Sequence, residues 1–169
     1  MNNKTLFSER QRFRQIWVWI LLLGINGLFI YGLTKQVYFR EKFGDRPMSN
    51  TGLIITTILV FFISILLLGM RLETEIKTDG IYVRLFPIQW TYRFYSWDNL
   101  DRLYVRQYSP IGEFGGWGFR GFRNNRALNV SGDKGIQLVM RNGVRLLIGT
   151  NKPSEVADTL MQLGRLTGS

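Results

Sequence analysis

Two long apolar runs occupy the first half of the chain, over residues 16–33 and 51–70, and neither holds a charged residue. At about 1.5 Å per residue, helices of this length would cover roughly 27 to 30 Å, which matches the hydrocarbon core of a bilayer. A helix in a soluble core normally keeps a polar face, whereas the first run has only Asn26 and the second only hydroxyl groups. The runs therefore predict two transmembrane helices, at about 16–34 and 51–70.

The first run also follows basic residues, as a cleaved signal peptide would. Its apolar part is longer than the usual 7 to 15 residues or so, however, and no small-residue cleavage pattern follows it. We therefore expect this segment to remain and to pair with the second as an antiparallel hairpin covering residues 15–71. Six basic residues flank the outer ends of the hairpin against four in its connection, which favours a cytoplasmic C-terminal domain.

Composition narrows the chemistry that the chain can perform. It has 169 residues, no cysteine and no histidine, which excludes disulfides, thiolate metal sites and imidazole-based triads. We expect no cofactor and no enzymatic activity. The 22 basic residues exceed the 12 acidic ones by a net +10, but they are scattered, which favours anionic membrane lipids or an acidic protein as partner and disfavours nucleic acid.

After residue 70 the apolar period changes from helical to alternating, which predicts strands. Asp79-Gly80 predicts a type I′ hairpin, and Asn142-Gly143 predicts a second two-residue hairpin turn. About seven antiparallel strands result. A helix with Pro153 in its first turn closes the chain, and its apolar positions at helical spacing are Val156, Leu160 and Leu163, with Met161 as a further candidate. The chain is thus divided into a basic N-terminal arm (1–14), the helical hairpin (15–71) and a β-rich domain (72–169).

Three short segments carry a resemblance to a known family. They are GWGFR at 116–120, ALNVSG at 127–132 and LIGT at 147–150, the last leading into the helix that begins with proline. In this order, behind two apolar helices, they resemble small bacterial membrane proteins with a pleckstrin-homology-like (PH-like) domain, over about residues 72–163. The resemblance implies a membrane α-helical hairpin plus an all-β/α+β PH-like barrel with one C-terminal helix. It also implies a bacterial inner or cytoplasmic membrane as the location. It implies no activity and no catalytic or lipid-binding residues.

Two places along the chain suggest contacts beyond folding. Arg120, Arg123 and Arg126 lie close to Trp117 in a polar, glycine-flanked stretch, which fits either a solvated loop or a contact with lipid headgroups or an acidic partner. Asn26 is the one amide in the apolar runs, and an amide in hydrocarbon seeks a partner, so it predicts a helix–helix contact.

Residues 116–121 formally match the G-x-G-x-x-G pattern of dinucleotide-binding sites. The surrounding pattern predicts antiparallel strands and no helix directly after the glycines, so we interpret them as bends or close backbone approaches in a sheet.

These features predict an integral membrane protein whose PH-like domain acts as a non-catalytic protein-binding or scaffold module. The expected partners are membrane lipids and either another membrane protein or a second copy of the chain. Two alternatives remain open: a module that binds anionic lipid headgroups, and an uncharacterised membrane-bound enzyme.

Overall fold

The structure is a computed structural model that describes residues 4–167. Its residues form two compact units: Gln15–Gly69, and the segments that precede and follow it. The first unit contains helix α1 (Ile16–Leu33), a π-helical turn (Thr34–Tyr38) and helix α2 (Asn50–Gly69). The most apolar windows of the two helices are only 6% and 11% buried, unlike core helices of a soluble protein. The prediction of two long apolar helices is confirmed, and both could be membrane spans.

The second unit contains two sheets and is rich in strands. The first sheet has the order β1-β2-β3-β4, with β1 at Thr5–Arg12, β2 at Arg71–Lys77, β3 at Gly80–Phe86 and β4 at Arg93–Ser96. The second has the order β5-β8-β9-β7-β6, with β5 at Leu100–Gln107, β6 at Gly118–Phe122, β7 at Asn125–Asn129, β8 at Lys134–Met140 and β9 at Arg145–Gly149. A 3₁₀ turn (Trp97–Asn99) and two helices, α3 (Pro110–Phe114) and α4 (Pro153–Gln162), complete the unit.

The arrangement of these strands differs from the predicted antiparallel barrel. Across residues 4–167 the strands form two separate sheets, and no barrel closes. One pair, β7 with β9, is parallel. Strand β8 lies between β5 and β9 and not beside β7. When the chain turns back after β8, strand β9 therefore runs next to β7 and in the same direction. The C-terminal helix is present as predicted.

The N-terminal segment, described from sequence only as a basic arm, forms strand β1. It pairs antiparallel with β2, placing Arg12 opposite Arg71. Its side chains alternate, with Phe7, Glu9 and Gln11 buried and the residues between them exposed. Since two of the three buried side chains are polar, the strand lacks the apolar alternation by which sequence patterns reveal strands. Its partner also lies beyond both apolar helices in the chain.

The core of the second unit lies between the two sheets and α4. Its fully buried side chains come from both sheets and from the helix: Leu72, Ile76, Ile81, Val83, Leu85, Leu128, Val130, Ile136, Leu138, Ile148, Val156 and Leu160. Each side chain of this kind contributes about 1.5–3 kcal/mol when it is removed from water. Of the predicted apolar face of the C-terminal helix, Val156 and Leu160 are confirmed as part of the core and Leu163 packs against it, whereas Met161 is 56% exposed.

The β2–β3 hairpin is present, but its turn differs from the predicted one. The loop residues are Thr78 and Asp79, because Lys77 already pairs with Gly80. Neither loop residue has a positive φ, so the turn is not type I′. Gly80 has another reason to be glycine, since a Cβ there would overlap the backbone carbonyl of Tyr95 in the neighbouring strand.

The β8–β9 hairpin differs from the prediction in loop length, because its loop has three residues, 141–143, and not two. The Gly143 N–H donates to the Met140 carbonyl (2.9 Å), and the Met140 N–H donates to the Val144 carbonyl (2.8 Å). Of the loop residues only Gly143 has a positive φ, of 80°. This is the pattern of a type I turn followed by a left-handed residue.

Substitution of Gly143 tests this turn. A Cβ at Gly143 would contact nothing within 4 Å, so any cost comes from backbone strain alone. We expect Gly143→Val to lower the free energy of unfolding by about 1–2 kcal/mol, and Gly143→Asn to cost less because asparagine tolerates the left-handed region. Urea unfolding of the full chain in detergent measures both. Equal stability of the two variants would contradict the assigned backbone conformation.

Candidate functional site

The three predicted arginines belong to one hairpin, made of β6 and β7. Arg120 lies in β6, Arg126 lies in β7, and Arg123 lies in the turn between the paired residues Phe122 and Asn125. Arg123 has a φ of 45°, which is uncommon for a residue with a side chain. All three side chains belong to exposed residues.

The hairpin does not bring the three guanidinium groups to one point. Arg120 pairs with Ala127, while Arg126 pairs with Gly121. Since successive residues of a strand point to opposite faces, Arg120 and Arg126 lie on opposite faces of the sheet. Arg120 donates from Nε to the Trp117 carbonyl (2.9 Å), and the Arg123 guanidinium lies 5.7 Å from the centre of the Phe122 ring. The arginines therefore form a basic rim around the hairpin and do not form a pocket for one anion.

The aromatic residues of this hairpin face outward more than inward. Phe122 is 79% exposed and Phe119 is 40% exposed, whereas Trp117 is half-buried. The Trp117 indole N–H is buried and has no hydrogen-bond partner within the part of the chain that the structure describes. Arg93 of β4 lies 5.9 Å from the Phe119 ring centre and adds a further positive charge beside the hairpin.

Strand β6 is an edge strand. It pairs with β7 on one side, and among residues 4–167 no strand pairs with its other side. Four of its five residues, 119–122, are exposed. An edge of this kind offers unpaired backbone N–H and carbonyl groups to an incoming extended segment.

In the helical unit, Asn26 makes a contact between the two helices. Its Nδ2 donates to the Ser64 hydroxyl (2.8 Å) and to the Leu22 carbonyl (2.6 Å). Its Oδ1 has no hydrogen-bond partner among the described residues. The amide donor is thus engaged inside the hairpin, between α1 and α2.

A second charged site, not identified from the sequence, lies on the outer face of the first sheet. The side chain of Glu73 is only 5% exposed and accepts hydrogen bonds from Arg10, Arg84 and Tyr92. The distances are 2.8 Å from Arg10 Nε, 2.8 Å from Arg84 Nε and 3.0 Å from the Tyr92 hydroxyl. Arg71 Nε lies 3.0 Å from the same carboxylate.

This environment changes the acidity of Glu73. Burial alone raises the pKa of the carboxyl group, but the hydrogen bonds from Arg84, Tyr92 and Arg10 together outweigh burial. The pKa of Glu73 therefore lies below its usual value of 4.5, and the group is charged at neutral pH. One carboxylate cannot neutralise three arginines, so the cluster keeps a net positive charge.

The register of the β2–β3 hairpin is the signal that could have revealed this cluster. In the structure Glu73 pairs with Arg84 and lies opposite Arg10 of β1. A two-residue loop at Asp79-Gly80, as predicted, would instead set Glu75 opposite Arg84. The predicted loop lies one residue further along the chain than the observed loop. For this reason the predicted register did not pair Glu73 with Arg84.

Within residues 4–167 no group of three acidic side chains is placed to hold a metal ion. No family model matches the chain, and no curated protein matches its sequence. What the structure defines is two long apolar helices joined to a β-rich domain with a C-terminal helix.

Proposed function

We propose that the protein is an integral membrane protein whose β-rich domain acts as a non-catalytic protein-binding module. The observation that carries this proposal is the exposed edge of β6 with its basic and aromatic rim. An extended segment of a partner protein would add a strand to this edge through backbone hydrogen bonds. Phe119 and Phe122 would supply apolar contact area.

The charge of the rim indicates the chemistry of the partner. Arg93, Arg120, Arg123 and Arg126 surround the edge, and β6 itself contains no acidic residue. An acidic extended segment complements this surface and is favoured over a neutral or basic one. Because the arginines lie on both faces of the hairpin, they suit a chain that runs along the edge better than a single phosphate group.

The fold part of the proposal is a PH-like domain. Two sheets of four and five strands followed by one helix support it. The parallel pair β7–β9 and the open arrangement of the sheets depart from the expected antiparallel barrel. We further propose that the domain is cytoplasmic, since the basic residues slightly favour that side of the membrane.

Photo-crosslinking in cells that naturally make the protein tests the binding proposal. A benzoylphenylalanine at Phe122 is expected to form a discrete protein adduct, because this side chain is 79% exposed beside the open edge. The same probe at Ile111, which is 64% exposed in α3, serves as the matched position. We expect no equivalent adduct from position 111.

The charge requirement is tested in the same experiment. Arg123→Gln with Arg126→Gln should reduce the adduct about fivefold, since exposed charges contribute up to about 1 kcal/mol to an association. Arg102→Gln removes an exposed arginine of β5 that lies 3.6 Å from Asp101, and it should leave the adduct unchanged. The thermal midpoint must stay the same in both variants. Absence of an adduct at position 122, or an adduct indifferent to the double substitution, would refute the proposal.

A further inference from the structure

A second surface lies at the end of the first sheet where the chain enters and leaves the helices. Strand pairing places Arg12, Arg71 and Phe86 side by side on β1, β2 and β3. Arg12 precedes the start of α1 by four residues, and Arg71 follows the end of α2 by two. The chain therefore limits the distance from these residues to the helix ends to about 14 Å and about 7 Å.

The loop that follows Phe86 exposes two large apolar side chains at this end of the sheet. Ile88 is 55% exposed and Trp90 is 73% exposed, whereas Gln89 between them is buried. Two hydrogen bonds join Gln89 to Leu85. The Gln89 N–H donates to the Leu85 carbonyl (2.7 Å), and the Gln89 side-chain oxygen accepts from the Leu85 N–H (3.3 Å). The loop is thus anchored in a conformation that turns Ile88 and Trp90 outward.

The exposed tryptophan is linked to two arginines, to one through the Phe86 ring and to the other through its backbone carbonyl. Its ring contacts Phe86 edge-on, with ring centres 5.2 Å apart, and the Arg71 guanidinium lies 4.4 Å from the Phe86 ring centre. Arg84 donates from Nη1 to the Trp90 carbonyl (3.2 Å). Hydrogen bonds and ring contacts therefore hold aromatic and cationic groups side by side.

The charge of this region is strongly positive. Arg10, Arg12, Arg71 and Arg84 share the outer face of the sheet. Glu73 lies among them, while Glu75, on the same face, pairs with Lys77. Tryptophan beside arginine is the combination found where proteins meet the bilayer surface, with the ring at headgroup level and the guanidinium groups on phosphates.

We propose that Arg12, Arg71, Arg84, Ile88 and Trp90 form a membrane-contact surface, which seats the domain on the headgroups of an anionic bilayer. The inference rests on the proposed membrane insertion of α1 and α2, since their ends fix these residues near the bilayer. The occupant is the lipid surface, because Arg12 and Arg71 lie within four residues of a helix end and the exposed apolar side chains belong to the loop that follows their neighbour Phe86.

The absence of cysteine allows single-site spin labels in the full chain. Ile88→Cys is labelled with a nitroxide and reconstituted in vesicles of phosphatidylcholine, and of phosphatidylcholine with about one-third phosphatidylglycerol, an anionic lipid. Accessibility to oxygen and to a water-soluble nickel chelate reports immersion. We expect position 88 to be shielded from nickel several-fold more than a label at Ile111, and more strongly in the anionic vesicles.

Two further variants separate the possible failures. A label at Leu23, 73% exposed in α1, reports whether the helix lies in the bilayer. If position 23 is shielded and position 88 is as accessible to nickel as position 111, the contact surface is wrong while membrane insertion stands. If position 23 is also accessible, membrane insertion itself fails. Arg12→Gln should abolish the added shielding in anionic vesicles, and an unchanged difference would overturn the role of the arginines.

Discussion

Glu73→Gln is expected to lower the free energy of unfolding by about 2–3 kcal/mol. The carboxylate is nearly inaccessible and accepts charged hydrogen bonds from Arg10 and Arg84, and glutamine cannot balance the positive charge that remains. Removing one partner of a fully buried ion pair costs about 3–5 kcal/mol. We expect the smaller loss of about 2–3 kcal/mol here, because Arg10 is 56% exposed and water screens its interaction with Glu73. Urea unfolding of the full chain in detergent measures the change.

Glu75→Gln is the matched control for this prediction. Glu75 lies on the same strand and the same face, but its side chain is 26% exposed and pairs with Lys77. We expect a change below about 1 kcal/mol, as for other exposed pairs. If the two variants lose equal stability, the arginine cluster does not stabilise the sheet as argued.

The same carboxylate determines a pH dependence. Because the pKa of Glu73 is lower in the folded chain than its usual 4.5, its stabilising effect is complete above that value and is lost as the pH falls through the folded pKa. The stability difference between the native chain and Glu73→Gln should therefore shrink below about pH 4.5. A difference that stays constant down to pH 3 or so would show that the charge of Glu73 does not contribute.

Glu9→Ala is expected to destabilise the domain by about 2 kcal/mol, although Glu9 belongs to a segment that reads as a basic arm. The Glu9 carboxylate is buried and accepts from the Thr150 hydroxyl (2.6 Å) and the Asn151 N–H (2.9 Å), just before helix α4. Alanine would leave both donors without this acceptor, and a hydrogen bond to a charged group contributes about 1.5–3 kcal/mol.

Ser8→Ala provides the control, because Ser8 is the exposed neighbour of Glu9 on the opposite face of the strand. We expect it to change the free energy of unfolding by less than about 0.5 kcal/mol. Thermal unfolding of the full chain in detergent compares the two variants. Similar midpoints for Glu9→Ala and Ser8→Ala would mean that the hydrogen bonds of Glu9 to the segment between β9 and α4 do not stabilise the domain.

The three arginines singled out from the sequence lie on one hairpin, but the faces that their side chains occupy could not be predicted from the sequence. Clustering along the chain indicated that Arg120, Arg123 and Arg126 lie close together, and they do share the β6–β7 hairpin. Which face each side chain occupies depends on strand register, and register assigns Arg120 and Arg126 to opposite faces. The three arginines therefore form a basic rim around the hairpin and not a pocket for one anion, and a contact with headgroups or an acidic partner stays a prediction.

The conformation of the β2–β3 turn could also be predicted only in part. Asp79-Gly80 is a strong hairpin signal, and a hairpin does form there. The glycine, however, is required by the close approach of the Tyr95 backbone and not by a positive φ. Tyr95 lies fifteen residues further along the chain, so no local pattern could distinguish the two reasons for glycine. The register of the hairpin, and with it the pairing of Glu73 with Arg84, was therefore not predicted.

The sequence by itself determined the two apolar helices, the alternation that makes the rest of the chain β-rich, and the closing helix with its buried Val156 and Leu160. These properties follow from the spacing of apolar residues within a single helix or strand, which is a local feature of the sequence. The tertiary structure alone decided that residues 5–12 join the sheet, that β7 and β9 run parallel, and that three arginines surround Glu73. Each of these depends on which distant segments pair, because burial and charge compensation are satisfied by the whole fold and not by neighbours in sequence.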